Sequence, residues 1–168
     1  MDIFSHGLWV AVVYAKAKSE ARWMAVFFGV APDIFSFGIL FVLNLFNSGS
    51  FGSPQALVVP AYILTLYNIW HSLFTWLAIF VIVWLIRRKP WWPLAAAFLH
   101  IAIDVPLHEA DFFPTPWLWP FSNYTVDGYA WGHSSFLLSN YAVLGVVYII
   151  WYIWDYRKRQ AAKLAASK

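Results

Sequence analysis

Lysine and arginine occur at only three places along this chain: Lys16, Lys18 and Arg22; Arg87, Arg88 and Lys89; and Arg157, Lys158, Arg159, Lys163 and Lys168. Residues 23–86 and 90–156 contain neither. A chain threaded through a bilayer needs this pattern. A charge at the hydrocarbon centre costs about 2.5–3.5 kcal/mol on insertion scales, and cytoplasmic loops collect the Lys and Arg. Composition agrees, with 62% hydrophobic and 11% charged residues, against about 25% charged in soluble domains. The 12 Trp and 9 Tyr are the side chains that settle at membrane–water interfaces. The basic clusters therefore read as loop markers for a lipid-bilayer partner, and no nucleic-acid partner is expected. The chain has no cysteine, which excludes disulfides and thiolate metal sites.

The apolar runs give the organisation. Residues 3–15 are short for a span of about 20 residues, so the first helix either reaches Lys18 or crosses halfway. Its start lacks a basic region and a cleavage site, so it is expected to act as an uncleaved insertion signal. Residues 21–46 form a second segment, expected to break at Pro32 because proline removes a helical hydrogen bond. Residues 47–55 carry turn chemistry. Residues 60–86 and 91–107 form the next spans, residues 108–134 a Pro- and aromatic-rich loop, and residues 135–156 the last span. The three basic clusters follow the first, third and fifth segments. The expectation is an all-α, polytopic transmembrane helical bundle of about five helices, forming one domain over residues 1–156. A basic cytoplasmic tail, 157–168, is expected to fray. The N-terminus lies outside and the C-terminus in the cytoplasm, in a bacterial inner membrane.

Six candidate His and Asp residues lie in or at the edge of these apolar runs, away from the basic clusters: His6, Asp33, His71, His100, Asp104 and His108. Such groups face a bundle interior or a cavity and carry function. Imidazole with carboxylate is a common ligand set for zinc and related metals. His100, Asp104 and His108 are spaced i, i+4, i+8 on one helix face, although Pro106 can displace His108. At about 1.5 Å per residue, His71 and Asp104 lie about 20 Å from the cytoplasmic interface and His100 about 13 Å. The metal ligands expected are His6, His71, His100, Asp104 and His108, holding a divalent metal, zinc first, with manganese or magnesium as alternatives. Asp33 and Asp104 are the candidate catalytic carboxylates. Thr65, Asn68, Ser72 and Thr75 form a polar stripe expected to face other helices.

These residues carry a resemblance. Ser5-His6-Gly7, Gly29-Val30-Ala31-Pro32-Asp33-Ile34, His71-Ser72-Leu73, His100-Ile101-Ala102-Ile103-Asp104 and Trp119-Pro120-Phe121 occur in that order. The set resembles the LexA-regulated, membrane-bound metal-dependent hydrolases, a family of small bacterial membrane proteins, over residues 1–121. It implies an inner-membrane helical bundle and a metal-hydrolase activity. The chain departs from the family's pattern at Phe35, where a second Asp is usual, and at Tyr67-Asn68-Ile69-Trp70, where a His-Arg pair is usual. Both departures favour one metal over two.

The expected chemistry is attack of metal-activated water on an ester, amide or phosphoester, with Asp33 or Asp104 as general base. The substrate is a lipid or lipid-linked molecule, and the absence of Lys and Arg on the outer side leans away from a highly anionic one. Two alternatives remain: an ion- or proton-handling transport protein, in which buried His and Asp relay charge, and a non-catalytic membrane scaffold with a closed site.

Overall fold

A computed structural model describes residues 1–48 and 59–166. Most of the loop expected at residues 47–55 lies outside them. Among the described residues there is no β-strand. The helices are α1 (Ile3–Val13), α2 (Ser19–Asp33), α3 (Ile39–Ser48), α4 (Ala61–Trp70), α5 (Leu73–Arg87), α6 (Ala95–Asp104) and α7 (Ser134–Ala166). The chain divides into two compact units, Met1–Trp131 and Gly132–Lys168.

Two helices among the described residues are long and apolar enough to cross a membrane: Ser19–Phe46, which joins α2 to α3, and Ser134–Ala165. A third crossing exists if α4 and α5 together count as one. This is fewer than the five expected. α1 and the stretch Trp92–Leu107 are apolar but shorter than 18 residues, and about 20 are needed for a full crossing.

Three local expectations are corrected. First, Pro32 does not end its helix. The chain continues through it into a π-helical turn, Ile34–Gly38, and then into α3. Widening the turn accommodates a residue that cannot donate its own hydrogen bond, and the Ser36 hydroxyl donates to the Pro32 carbonyl at 2.7 Å.

Second, residues 60–86 are not one straight helix. α4 and α5 meet at a 56° bend at His71-Ser72. The long loop before α7 supplies the reason. Ser72 caps α5, accepting from the amides of Phe74 and Thr75, and its hydroxyl donates to the Trp119 carbonyl. The Leu73 amide donates to Trp117 O at 3.1 Å. The Trp76 indole donates to Trp70 O across the bend at 2.7 Å. The bend also splits the polar stripe: Thr65 is exposed and donates to its own helix, at Ala61 O, while Ile63 and Tyr67 take the inward face of α4.

Third, the basic stretch from Arg157 does not fray. α7 carries through it to Ala166, with Arg159 Nε 2.7 Å from Asp155 one turn earlier.

Within the first unit α2 is the central helix, touching α1, α4, α6 and the 3₁₀ turn Trp92–Leu94. Its inner contacts are small. Ala25 packs with Val10 and Ala96, and Ala31 with Trp76, Leu94, Ala97 and Ile101. Lipid is as apolar as leucine, so helices in a membrane are held by close van der Waals approach, and small residues permit it. Gly29 is the extreme case: a Cβ there would lie 2.5 Å from Val10 Cγ2. The loop after α6 folds back on the helix end. The amides of Gly128, Tyr129 and Trp131 donate to the carbonyls of His108, Pro106 and Leu107, satisfying backbone acceptors that the end of the helix leaves free.

Candidate metal centre

Asp33, His71, His100 and Asp104 converge, each presenting one ligand atom, with all four atoms within 4.8 Å of one another. His71 Nε2 lies 3.4 Å from His100 Nε2 and 3.4 Å from Asp33 Oδ1. His100 Nε2 lies 3.0 Å from Asp104 Oδ2 and 3.8 Å from Asp33 Oδ1, and His71 Nε2 lies 3.9 Å from Asp104 Oδ2. A tetrahedral ion with bonds of about 2.0–2.1 Å sets its ligand atoms about 3.3 Å apart. The five separations, 3.0–3.9 Å, bracket that edge. His71, His100 and Asp104 are at most 1% exposed, while Asp33 is 15% exposed.

Backbone carbonyls orient the imidazoles. His100 Nδ1 donates to Gly29 O at 2.7 Å, and His71 Nδ1 donates to Tyr67 O at 3.1 Å. A neutral imidazole that spends its N–H on Nδ1 leaves a bare lone pair on Nε2, which is how metal-binding histidines are commonly held. Both Nε2 atoms then turn lone pairs toward each other and toward two carboxylates. Asp104 Oδ2 is buried and accepts no hydrogen bond, although it stands 3.0 Å from His100 Nε2. With its N–H on Nδ1, a neutral His100 has no proton on Nε2 to give. The absent Cβ of Gly29 lets α1 and α2 close up while the Gly29 carbonyl reaches His100.

The other oxygen of Asp104 faces a different group. His6 Nε2 lies 2.9 Å from Asp104 Oδ1, and the His6 ring stacks on His100 at 3.7 Å between centroids. His108 Nε2 lies 3.5 Å from the same oxygen, and the Met1 amine also contacts it. His6 therefore holds the carboxylate and stands outside the four converging donors, and its own Nδ1 is buried without a hydrogen-bond partner. The 3₁₀ turn Val105–Leu107 follows Asp104 and leaves His108 extended, so the regular i+8 placement is lost. His108 remains beside the site because its Nδ1 donates to Phe113 O at 2.7 Å.

Two residues that sequence reasoning did not single out shape this region. The ring of Tyr67 packs on His71 at 4.0 Å between centroids, and its hydroxyl donates to Phe113 O at 2.8 Å. Phe113 has φ 51°, a left-handed conformation costing a non-glycine residue about 1–3 kcal/mol. Its carbonyl thereby serves both Tyr67 and His108. In a chain this rich in aromatics no sequence signal separates Tyr67 from its neighbours.

No family model, curated protein or solved structure matches this chain.

Proposed function

We propose that this is a membrane-embedded, metal-dependent hydrolase of the LexA-regulated type, acting on an ester, amide or phosphoester of a lipid or lipid-linked substrate. One observation carries the reading. Two imidazoles pinned through Nδ1 face each other at 3.4 Å between Nε2 atoms, in company with two carboxylates. Four electron-rich atoms held that close in a buried site repel one another unless a proton or a metal cation sits among them, and the two carboxylates with two Nδ1-pinned imidazoles make a metal the better fit. The unsatisfied Asp104 Oδ2 fits the same group. The mixed nitrogen and oxygen donors at near-tetrahedral spacing favour zinc over magnesium, which takes six oxygens.

His71, His100 and Asp104 would hold the ion, and Asp33, the most open of the four, would act as base. When bound, a divalent ion acidifies a coordinated water and offsets the negative charge that develops in hydrolysis. Asp33 takes the proton from the attacking water. The new bond from that oxygen to the substrate carbon or phosphorus forms as the bond to the leaving oxygen or nitrogen breaks. Asp33 then returns its proton to the leaving group. His6 keeps Asp104 oriented through its 2.9 Å contact. The basic clusters support an orientation with the C-terminus in the cytoplasm of a bacterium and the N-terminus of α1 toward the outer side. The Tyr14 hydroxyl, beside the first cluster, donates to Trp92 O, beside the second, at 2.7 Å, which supports a common end for these two.

A second reading has its own support. If Asp33 is a full ligand, the site is closed by four protein groups, as structural zinc sites are, and the protein is a scaffold. Asp33→Asn in the zinc-loaded protein separates the two, assayed on p-nitrophenyl butyrate and bis-p-nitrophenyl phosphate. The hydrolase reading predicts metal retained within about tenfold and turnover reduced at least 100-fold, the usual size of a general-base contribution. Loss of the metal and of the fold in Asp33→Asn, or no turnover by metal-loaded wild type on either substrate, contradicts it.

A further inference from the structure

A cavity of about 260 Å³ adjoins the metal centre and has no part in the chemistry above. Asp33 and His108 lie in its wall, and the rest includes Phe37, Gly38, Phe41 and Phe113. Asp33, Phe37 and Phe41 follow one another at one-turn intervals, so the cavity runs along the helix for about two turns from the site. The remaining acidic side chain in its wall, Asp2, is already occupied, accepting from the Ser5 amide at 3.0 Å and the Ser5 hydroxyl at 2.6 Å. Phe37 closes one side, with its ring 4.7 Å from Phe113 and 5.4 Å from Tyr67.

We infer that this cavity seats the headgroup-proximal part of one acyl chain of a bilayer lipid, with the bond to be cleaved presented at Asp33. The inference rests on the membrane hydrolase reading and adds the substrate class to it. The location supports it: residues 33–41 lie within the continuous apolar helix Ser19–Phe46, where the surrounding medium is hydrocarbon. The size does too. The cavity exceeds the roughly 150 Å³ that holds a benzene-sized guest and falls below the ~300–1,000 Å³ of sites for drug-sized ligands, so it admits one chain and not two. The wall is aromatic and aliphatic apart from Asp33, His108, Met1 with its amine on Asp104, and the already occupied Asp2. No Lys or Arg occurs in residues 23–86 or 90–156, so recognition falls to the chain and not to an anionic headgroup.

Gly38 gives the test. The nearest atoms to a Cβ there are Asp33 O at 3.6 Å and Ile34 atoms at 3.7 and 3.8 Å, all ordinary contacts, so the backbone tolerates a side chain that fills the cavity. Wild-type protein in nanodiscs containing phosphatidylcholine with a diazirine midway along one palmitoyl chain is irradiated, and the labelled peptides are mapped by mass spectrometry. Labelling at residues 37–41 and 112–113 should exceed that at the exposed α5 residues Ile82 and Leu85 at least tenfold. Gly38→Trp should lower it at least tenfold with zinc content unchanged, while Gly38→Ala keeps at least half of it. Phe41→Trp, further from the metal, should give the same loss if Gly38→Trp does not fold. Label spread evenly over lipid-facing residues, or unaltered by either tryptophan, overturns the inference. The two readings fail separately. Cavity labelling in a protein that takes up no zinc removes the hydrolase reading and leaves the seat, whereas zinc bound without cavity labelling does the reverse.

Discussion

Replacing His100 with alanine removes one of four converging donors, and the size of the loss follows from the geometry. Structural zinc in four-ligand protein sites is bound with about 10–16 kcal/mol at neutral pH. Shared evenly over the three protein ligands of the hydrolase reading, one ligand is worth about 3–5 kcal/mol, or roughly 10²–10⁴-fold in Kd. A second effect accompanies it. His100 is fully buried and donates to the Gly29 carbonyl, and a buried acceptor left bare costs about 1–3 kcal/mol of stability. His71→Ala separates the two effects. It removes an equivalent donor atom but leaves the His100–Gly29 bond intact, so the two variants should lose zinc affinity alike. The assay is chelator-competition titration of the detergent-solubilised apoprotein with zinc, with circular dichroism to confirm helicity. Either variant binding zinc within threefold of wild type, while folded, refutes ligation by the two imidazoles.

Three further outcomes follow from the same geometry. Both Nε2 atoms must be free of protons to bind the ion, and ordinary histidine titrates near 6.5. Zinc affinity should therefore fall as pH drops, by up to about 100-fold between pH 7.5 and 5.5 for two imidazoles; a flat profile in the same titration argues against imidazole ligation. Gly29→Ala places a methyl 2.5 Å from Val10 Cγ2, roughly 1 Å inside ordinary contact, and should destabilise by about 1–3 kcal/mol. Val10→Ala should restore most of the loss in thermal unfolding, whereas no rescue would place the strain elsewhere. Phe113→Gly relieves a left-handed backbone but removes a ring from the cavity wall, so it should cut acyl-chain labelling at residue 112 more than it lowers zinc affinity; an equal effect on both counts against separate roles.

The site was more legible than the scaffold around it. His71, His100, Asp104 and Asp33 are ionisable groups set in apolar runs, and such residues have few reasons to be there other than one another. The depths of His71 and Asp104, about 20 Å along two different segments, placed those two at a common level. The bend that turns His71 inward was not legible, because residues 60–86 contain no proline after Pro60 and no glycine. Its cause is the backbone of the loop around Trp117 and Trp119, more than 40 residues away, which offers carbonyls to Ser72 and Leu73. Pro32 was visible, but the outcome was not. Proline forbids a regular hydrogen bond without dictating whether the helix stops or widens, and here the chain widens into a π turn. The count of crossings was read too high because apolarity marks burial as readily as it marks a span, and α1, at 11 residues, is long enough only for the former. His108 kept its place near Asp104 for a reason outside the helical spacing, its bond to the strained Phe113 carbonyl.

X-ray absorption at the zinc edge, on wild-type protein purified without chelators and loaded with one equivalent of zinc, addresses the metal centre directly. The geometry predicts a four-coordinate ion with two imidazole nitrogens at about 2.0–2.1 Å and carboxylate or water oxygens completing the shell, and loss of one imidazole in His71→Ala. A protein that takes up no zinc, or a zinc signal without imidazole scattering, would contradict the account.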